Sequence, residues 1–326
     1  MNQLNPDTKN SRKAIWSESI HVTADEFLAD QPTADSYALV TGGSSGIGKA
    51  IARELARHGF NVLLVALPET GLEAVAESIR NEFGVKVDYL NCNLAVADGP
   101  EKVYHWCRLN YYAVNILVNN AGLGHLCSFE SLSHDQIHYM MALNNEALVM
   151  LTHQFMHMLK NQPKSYVLNV GSLASFEPMP NKAIYAATKS FVYSFSWALR
   201  MELEDEGISV SCLCPSGVLT NQQVQQRTER ISISKSFQMD AETVARKAVN
   251  CMLKGQFRII PGWQNRFVYR LEQVLPEEAV KWLMKKLFKK LPPDTSLPGA
   301  HPHPLEIPTL PKDKHQSLVE EEALTG

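Results

Sequence analysis

The sequence predicts a single α/β domain in three layers, with helices covering both faces of a mostly parallel, doubly wound sheet. Two observations predict it. Short, nearly continuous apolar runs alternate with longer amphipathic stretches from Tyr37 to about Leu291, as strands buried on both faces by crossover helices do. A glycine cluster, Gly42 to Gly48, lies between the first strand and the first helix, at the sheet end where such folds gather ligands. The 326 residues, 45% hydrophobic and 20% charged, suffice for one large core and do not demand two.

The elements follow in order. Tyr37–Thr41 is a strand, and a helix runs from the glycine turn to about His58. Asn61–Ala66 is a strand followed by a helix near Leu72–Phe83, and Lys86–Asn91 a strand followed by a helix near Pro100–Leu109. Ile116–Asn119 is the fourth strand. Ser133 caps a helix to about Lys160, with Gln136 completing a capping box. Ser165–Val170 is a strand, then comes a helix around Tyr185–Glu204, then the strand Ser209–Cys214. Asp240 caps a helix to Leu253, and Arg258–Ile260 is a last short strand.

The flanks differ in character. Residues 1–36 form a polar N-terminal extension with little periodicity. Residues 292–326 hold seven prolines, carry Glu320-Glu321-Glu322 near their end and have few large apolar side chains, which predicts a disordered or draped tail. Between them, residues 263–291 make an amphipathic helical segment. Within it, Val280, Leu283, Met284, Leu287, Phe288 and Leu291 recur at helical spacing, with Lys281, Lys285, Lys286, Lys289 and Lys290 on the other side. A basic amphipathic helix over Glu277–Leu291 can lie on an anionic membrane. The commoner use of such a face is to cap a pocket or dock on a neighbouring subunit.

The totals exclude some classes. A net charge of −3 and a pI near 6.4 argue against a nucleic-acid partner. Cys92, Cys107, Cys127, Cys212, Cys214 and Cys251 show no CxxC pairing, so buried free thiols are expected rather than zinc ligands. No run approaches the ~18 apolar residues of a membrane span. Met1 to Lys13 lack an apolar core, so no signal peptide and a cytoplasmic location are expected, with peripheral membrane contact as the variant. His134/His138 and His153/His157 have the spacing of helical metal ligands, but no HExxH or third ligand accompanies them, and no metal is expected.

The chemistry starts at Thr41-Gly42-Gly43-Ser44-Ser45-Gly46-Ile47-Gly48. Glycines let the backbone turn tightly and approach a pyrophosphate, and the helix N-terminus favours the negative charge. With its Gly-x3-Gly-x-Gly spacing, the motif resembles the TGxxxGxG of the short-chain dehydrogenase/reductase family. The resemblance covers about residues 37–262, implies a Rossmann-type fold, and includes Asn119-Asn120-Ala121-Gly122, similar to the family's NNAG. It implies cofactor-binding roles for Thr41, Gly42, Ser44, Ser45, Gly46, Ile47, Gly48, Asn120, Ala121 and Gly122. Asn93 stands where the family usually has an aspartate near the adenine.

The resemblance implies NAD(P) as the cofactor. An acid at the end of the second strand selects NAD and a nearby arginine selects NADP. Val65-Ala66-Leu67-Pro68-Glu69 supplies neither at the usual place. Glu69 can substitute for the acid or simply be solvated. The lack of a clear blocking carboxylate leans to NADP(H).

Tyr185-Ala186-Ala187-Thr188-Lys189 matches the family's YxxxK, and positions four apart share a helix face. An ammonium beside a phenol lowers its pKa and makes it a usable acid–base near neutrality. Ser172, thirteen residues before Tyr185 at a strand end, matches the family's catalytic serine, with Ser175 as local competitor. Asn144 aligns with the family's helix asparagine, with Asn145 adjacent. By resemblance, the catalytic set is Asn144, Ser172, Tyr185 and Lys189, and Tyr185 and Lys189 also meet the cofactor. Pro215-Ser216-Gly217-Val218-Leu219-Thr220 resembles PGxVxT, with Ser216 in place of the first glycine. This gives Pro215, Gly217, Val218 and Thr220 a place at the nicotinamide. His125 is expected to line the site.

These residues imply hydride transfer between the nicotinamide and a carbonyl or secondary alcohol, with Tyr185 as general acid/base. Ile260-Pro261-Gly262-Trp263 resembles a segment of the family's DltE-like and hydroxysteroid-dehydrogenase-like members, implying a hydrophobic substrate: acyl, sterol or lipid-like. Family members commonly pair through the helices carrying Asn144 and Tyr185, so a homodimer or homotetramer is expected. The alternative is a non-catalytic dinucleotide-binding scaffold or a membrane-surface adaptor, which the presence of Ser172, Tyr185 and Lys189 disfavours.

Overall fold

A computed structural model of the chain describes residues 36–216, 239–272 and 274–288. Gly217, Val218 and Thr220, expected at the nicotinamide, lie outside these residues, as do the N-terminal extension up to residue 35 and the Pro-rich tail.

Seven parallel strands form one sheet in the order β3-β2-β1-β4-β5-β6-β7. They are β1 (Ser36–Thr41), β2 (Asn61–Ala66), β3 (Val87–Asn91), β4 (Ala113–Asn119), β5 (Ser165–Val170), β6 (Ile208–Leu213) and β7 (Arg258–Ile259). The helices are α1 (Gly46–Arg57), α2 (Leu72–Phe83), α3 (Gly99–Leu109), α4 (His134–Met141), α5 (Ala147–Lys160), α6 (Ala183–Glu202), α7 (Ala241–Leu253), α8 (Trp263–Glu272) and α9 (Glu277–Phe288).

Alternation along β1 builds the two cores. Ala38 and Val40 face a cluster with Ile51 and Leu55 of α1 and Ala245 and Val249 of α7. Tyr37 and Leu39 face the opposite cluster, with Leu151, Phe155 and Leu159 of α5 and Leu199 of α6. Leu151, Phe155 and Leu159 recur every four residues and are at most 1% exposed. Each such side chain contributes roughly 2 kcal/mol of transfer free energy.

The expected strand–helix alternation is present. The capping box at Ser133 and Gln136 forms, and Asp240 caps α7 through the Thr243 N–H. One expectation needs correction. The helix read as continuous from Ser133 to Lys160 is interrupted by a wider π-helical turn at Ala142–Glu146. Asn144 sits inside that turn, and its side chain is committed to neighbouring segments, as described below. Helix α8 is a second element within what read as one amphipathic segment. All six cysteines are buried free thiols. Among the described residues, no helix is long and apolar enough to cross a membrane.

The chain switches direction across the sheet between β1 and β4, so a crevice opens at their carboxyl ends. The glycine turn leaves β1 there, and the Asn120–Gly122 turn leaves β4.

Candidate active site

The glycine turn is built by close approach. A Cβ on Gly48 would stand 2.2 Å from the Gly42 carbonyl oxygen and 2.4 Å from Asn120 Nδ2, and Gly42 has φ +66°. The first turn of α1 carries no acidic side chain, and exposed Ser45 makes no side-chain cap to it. The positive helix end is thus open to an anion, with half-buried Ser44 and Ile47 beside it. A dinucleotide's pyrophosphate fits this donor set.

Two residues expected to touch the cofactor hold the turn itself together. Thr41 Oγ1 donates to Val118 O (3.2 Å) and accepts from the N–H groups of Asn120 (2.9 Å) and Ala121 (3.0 Å). Asn120 Nδ2 donates to Thr41 O at 2.8 Å and Gly42 O at 3.3 Å. These bonds lock the turn after β4 against the turn after β1. Asn93 Oδ1 accepts from Ala95 N–H at 3.0 Å, so part of its acceptor capacity closes its own turn. Glu69 is exposed, in a left-handed conformation with φ 60°, beyond a turn that Thr70 Oγ1 closes on Leu67 O.

The structure gathers Asn144, Ser172, Tyr185 and Lys189. Lys189 is 6% exposed, and its Nζ donates to Val170 O at 2.8 Å, where β5 ends. Burial lowers its pKa to about 8, while the sulfurs of Cys212 and Cys214 pull it up. Tyr185 lies on the same face of α6, with Lys189 Nζ 6.0 Å and Lys182 Nζ 5.4 Å from its ring centroid. The lowering expected from the neighbouring ammonium is not what the structure shows: burial raises the phenol's pKa above its ordinary value, and a hydrogen bond with Ser172 only partly opposes it. Ser172 Oγ also accepts from Ala174 N–H (3.1 Å), whereas the rival Ser175 spends its hydroxyl on Lys189 O (2.8 Å). Of the two hydroxyls, that of Ser172 is the one bonded to Tyr185.

Asn144 is 1% exposed. It accepts from Leu123 N–H (2.8 Å) and donates to Leu123 O (2.9 Å) and Thr188 Oγ1 (3.0 Å). Asn145 donates instead to Thr188 O (2.9 Å). The π-helical turn thus ties the loop after β4 to α6.

Gly124, Thr188 and the contact between Cys212 and Cys214 escaped the sequence reading, whereas Gly122 was expected beside the cofactor. A Cβ on Gly124 would stand 2.9 Å from the Tyr185 ring, and one on Gly122 would stand 3.1 Å from Asn144 Oδ1 and 3.3 Å from Lys189 Nζ. The glycines of Gly122-Leu123-Gly124 were the available signal. Thr188, inside the YxxxK stretch, links Asn144 to the Tyr185 carbonyl, which accepts its hydroxyl at 2.8 Å. Beneath Lys189, Cys212 and Cys214 approach to 3.8 Å. The Cys214 hydrogen bond holds the Cys212 thiol's pKa down, and burial pushes that of Cys214 up.

His125 is 7% exposed and lines a small cavity with Tyr185, Cys127 and Met140. Pro215 O accepts from Leu173 N–H at 2.9 Å, and Ser216 Oγ accepts from Asn265 Nδ2 at 2.9 Å. This fixes the start of the turn expected at the nicotinamide. His134, His138, His153 and His157 are all exposed.

A separate cleft of about 540 Å³ is lined by Phe176, Met179, Ala183, Ala187 and Met284. At 100° per residue, Ala183, Ala187 and Ser190 lie on the opposite side of α6 from Tyr185 and Lys189. Met284 of α9, 5% exposed, closes one wall.

Comparison with known proteins supplies the family. The short chain dehydrogenase family profile matches residues 36–231. A chicken (Gallus gallus) protein named hydroxysteroid dehydrogenase-like protein 1 is 32% identical over 76% of this chain and 74% of its own length. The mouse (Mus musculus) 17-beta-hydroxysteroid dehydrogenase type 3 is 33% identical over 56% of this chain and 60% of its own. A solved short-chain dehydrogenase from Sphingobium yanoikuyae, in complex with NADPH, superposes with a TM-score of 0.65 at 28% identity, covering 77% of this chain and 95% of that one. With the profile spanning more than half of the sequence and the parallel sheet in place, the chain belongs to the short-chain dehydrogenase family, NAD(P)-dependent oxidoreductases acting on alcohol and ketone groups.

Proposed function

We propose that the protein reduces a hydrophobic ketone with NADPH, and that Tyr185 is its general acid. The observation that carries this reading is the convergence of Tyr185, Ser172 and Lys189 at the carboxyl end of β5, with Ser172 hydrogen-bonded to the tyrosine and the lysine held at Val170 O. The cofactor, when bound, supplies the hydride.

The chain's residues do the rest. The uncapped N-terminus of α1, with Gly42, Ser44, Ser45, Gly46, Ile47 and Gly48, receives the pyrophosphate. Thr41 and Asn120 act by bracing that turn, and Ala121, Gly122 and Asn93 border the adenosine half. Lys189 and Tyr185 meet the nicotinamide ribose, and Pro215, Gly217, Val218 and Thr220 the carboxamide. Ser172 donates to the substrate oxygen, and Tyr185 passes it the phenolic proton. The Lys189 ammonium then stabilises the phenolate left behind. Asn144 positions Lys189 and Tyr185 by holding the loop after β4 on α6.

Burial keeps Tyr185 protonated, the form that reduction needs. Neither Ala66, Leu67 nor Pro68 offers a carboxylate to repel a 2′-phosphate, and the NADPH complex of the bacterial relative agrees with that choice. The substrate class draws on the steroid-dehydrogenase names of the relatives. Exposed Met150 on α5 and Phe191, Trp197 and Met201 on α6 suit pairing of two copies through these helices.

Fluorescence titration with NADPH and NADH, followed by turnover on a panel of bulky ketones, tests the reading. NADPH should bind more tightly. Tyr185→Phe should keep that affinity and lose ~10²–10⁴-fold in kcat. A variant turning over at the wild-type rate would remove Tyr185 from the chemistry.

A further inference from the structure

Helix α8 carries its apolar stripe outward. Successive helical residues step by 100°, so Trp263, Phe267 and Leu271 share one side of the helix. They are 69%, 61% and 41% exposed, and Val274 just beyond is 77% exposed. A soluble helix ordinarily turns such a stripe into its core, and a contiguous exposed apolar patch marks an interaction surface.

The rotation of α8 is fixed by its other side. Asn265, 2% exposed, donates to Pro261 O at 2.8 Å and Ser216 Oγ at 2.9 Å. The Tyr269 ring packs 4.6 Å from that of Phe176, and its hydroxyl accepts from Arg258 at 2.5 Å. Turning the stripe inward would break all of these contacts.

Charge identifies what the stripe meets. Exposed Arg266 and Arg270 flank it on the same side of α8. On α9, Lys281, Trp282, Lys285 and Lys286 are exposed, with Lys286 Nζ 4.8 Å over the Trp282 ring. From Trp263 to Lys290 there are seven Lys or Arg against three Glu, a local +4 in a chain of net −3. Aromatic rings edged by cations match the headgroup zone of an anionic bilayer.

We propose that the outward stripe of α8, with Trp282, Lys285 and Lys286 of α9, docks the protein on an anionic lipid surface. This differs from the contact the sequence pointed to. The apolar face of Glu277–Leu291 includes Met284, which the fold spends on the wall of the cleft beside Phe176 and Ala187, a cleft that exposed Lys281 and Lys285 also border. The proposal is independent of the redox chemistry.

The test is co-sedimentation of the full chain with vesicles of phosphatidylcholine alone or with about a third phosphatidylserine, at low and high salt. The wild type should pellet with the anionic vesicles, less at high salt, with a blue shift of tryptophan emission. Trp263→Ser with Phe267→Ser should lower partitioning at least about tenfold while NADPH titration and circular dichroism stay unchanged. Lys285→Glu with Lys286→Glu should weaken binding to the anionic vesicles only. A wild type that stays in the supernatant, or variants that both bind like it, would overturn the proposal. So would light scattering that finds the stripe holding two copies together without vesicle binding.

Discussion

Replacing Lys189 by methionine should make the protein more stable at neutral pH while removing its activity. Burial takes this ammonium from its ordinary 10.5 to about 8. That difference corresponds to about 3 kcal/mol by which the fold disfavours the charged form. Methionine fills a similar volume without charge, but it gives up the 2.8 Å bond to Val170 O, which costs ~1–2 kcal/mol. The net expectation at pH 7 is a gain of about 1–2 kcal/mol, or roughly 3–6 °C in Tm for a domain of this size. The sign with pH follows from proton counts. Between about 8 and 10.5 the unfolded lysine binds more protons than the folded one, so wild-type stability rises with pH relative to the variant. The advantage of Lys189→Met should shrink through that window and reverse above it. Urea denaturation of both proteins across the window measures the gap. A variant less stable than wild type at pH 7, or a gap indifferent to pH, would refute a buried, charged Lys189. Ketone turnover should fall at least ~10²-fold in the same variant.

Other outcomes follow from the same contacts. Gly48→Ala places a Cβ 2.2 Å from the Gly42 carbonyl. It should cost ~1–3 kcal/mol in thermal or urea unfolding as the turn opens, and NADPH titration should show weakened binding. Asn144→Ala strips the Leu123 N–H and carbonyl and the Thr188 hydroxyl of their partner. Urea unfolding should report a loss of ~2–4 kcal/mol. The pH profile of ketone reduction should be level near neutrality and decline as the pH passes about 8, where Lys189 loses the charge that supports the phenolate. Continued activity well above that value would separate the lysine from proton transfer.

The sequence by itself determined the architecture and pointed to the place proposed for the chemistry. Strands buried on both faces must be apolar throughout, and β1, β2 and β5 are fully buried runs that declare themselves by composition. Glycine between strand and helix, and tyrosine and lysine four apart, are local patterns, so their relation is written along the chain. What depends on residues distant in sequence was decided only by the tertiary structure. The engagement of the Ser175 hydroxyl by the backbone of α6, which leaves Ser172 as the partner of Tyr185, is one such feature. The bracing work of Thr41 and Asn120 rests on β1 and β4 being neighbours although 77 residues separate Thr41 from Val118. The π-helical turn at Asn144 places its amide against Leu123 and Thr188, 21 and 44 residues away. The apolar periodicity of the C-terminal segment showed that it forms helices, but not which side faces out. That was settled by Asn265, Tyr269 and Met284 finding partners across the fold, because periodicity records a helix's own symmetry and only packing breaks it.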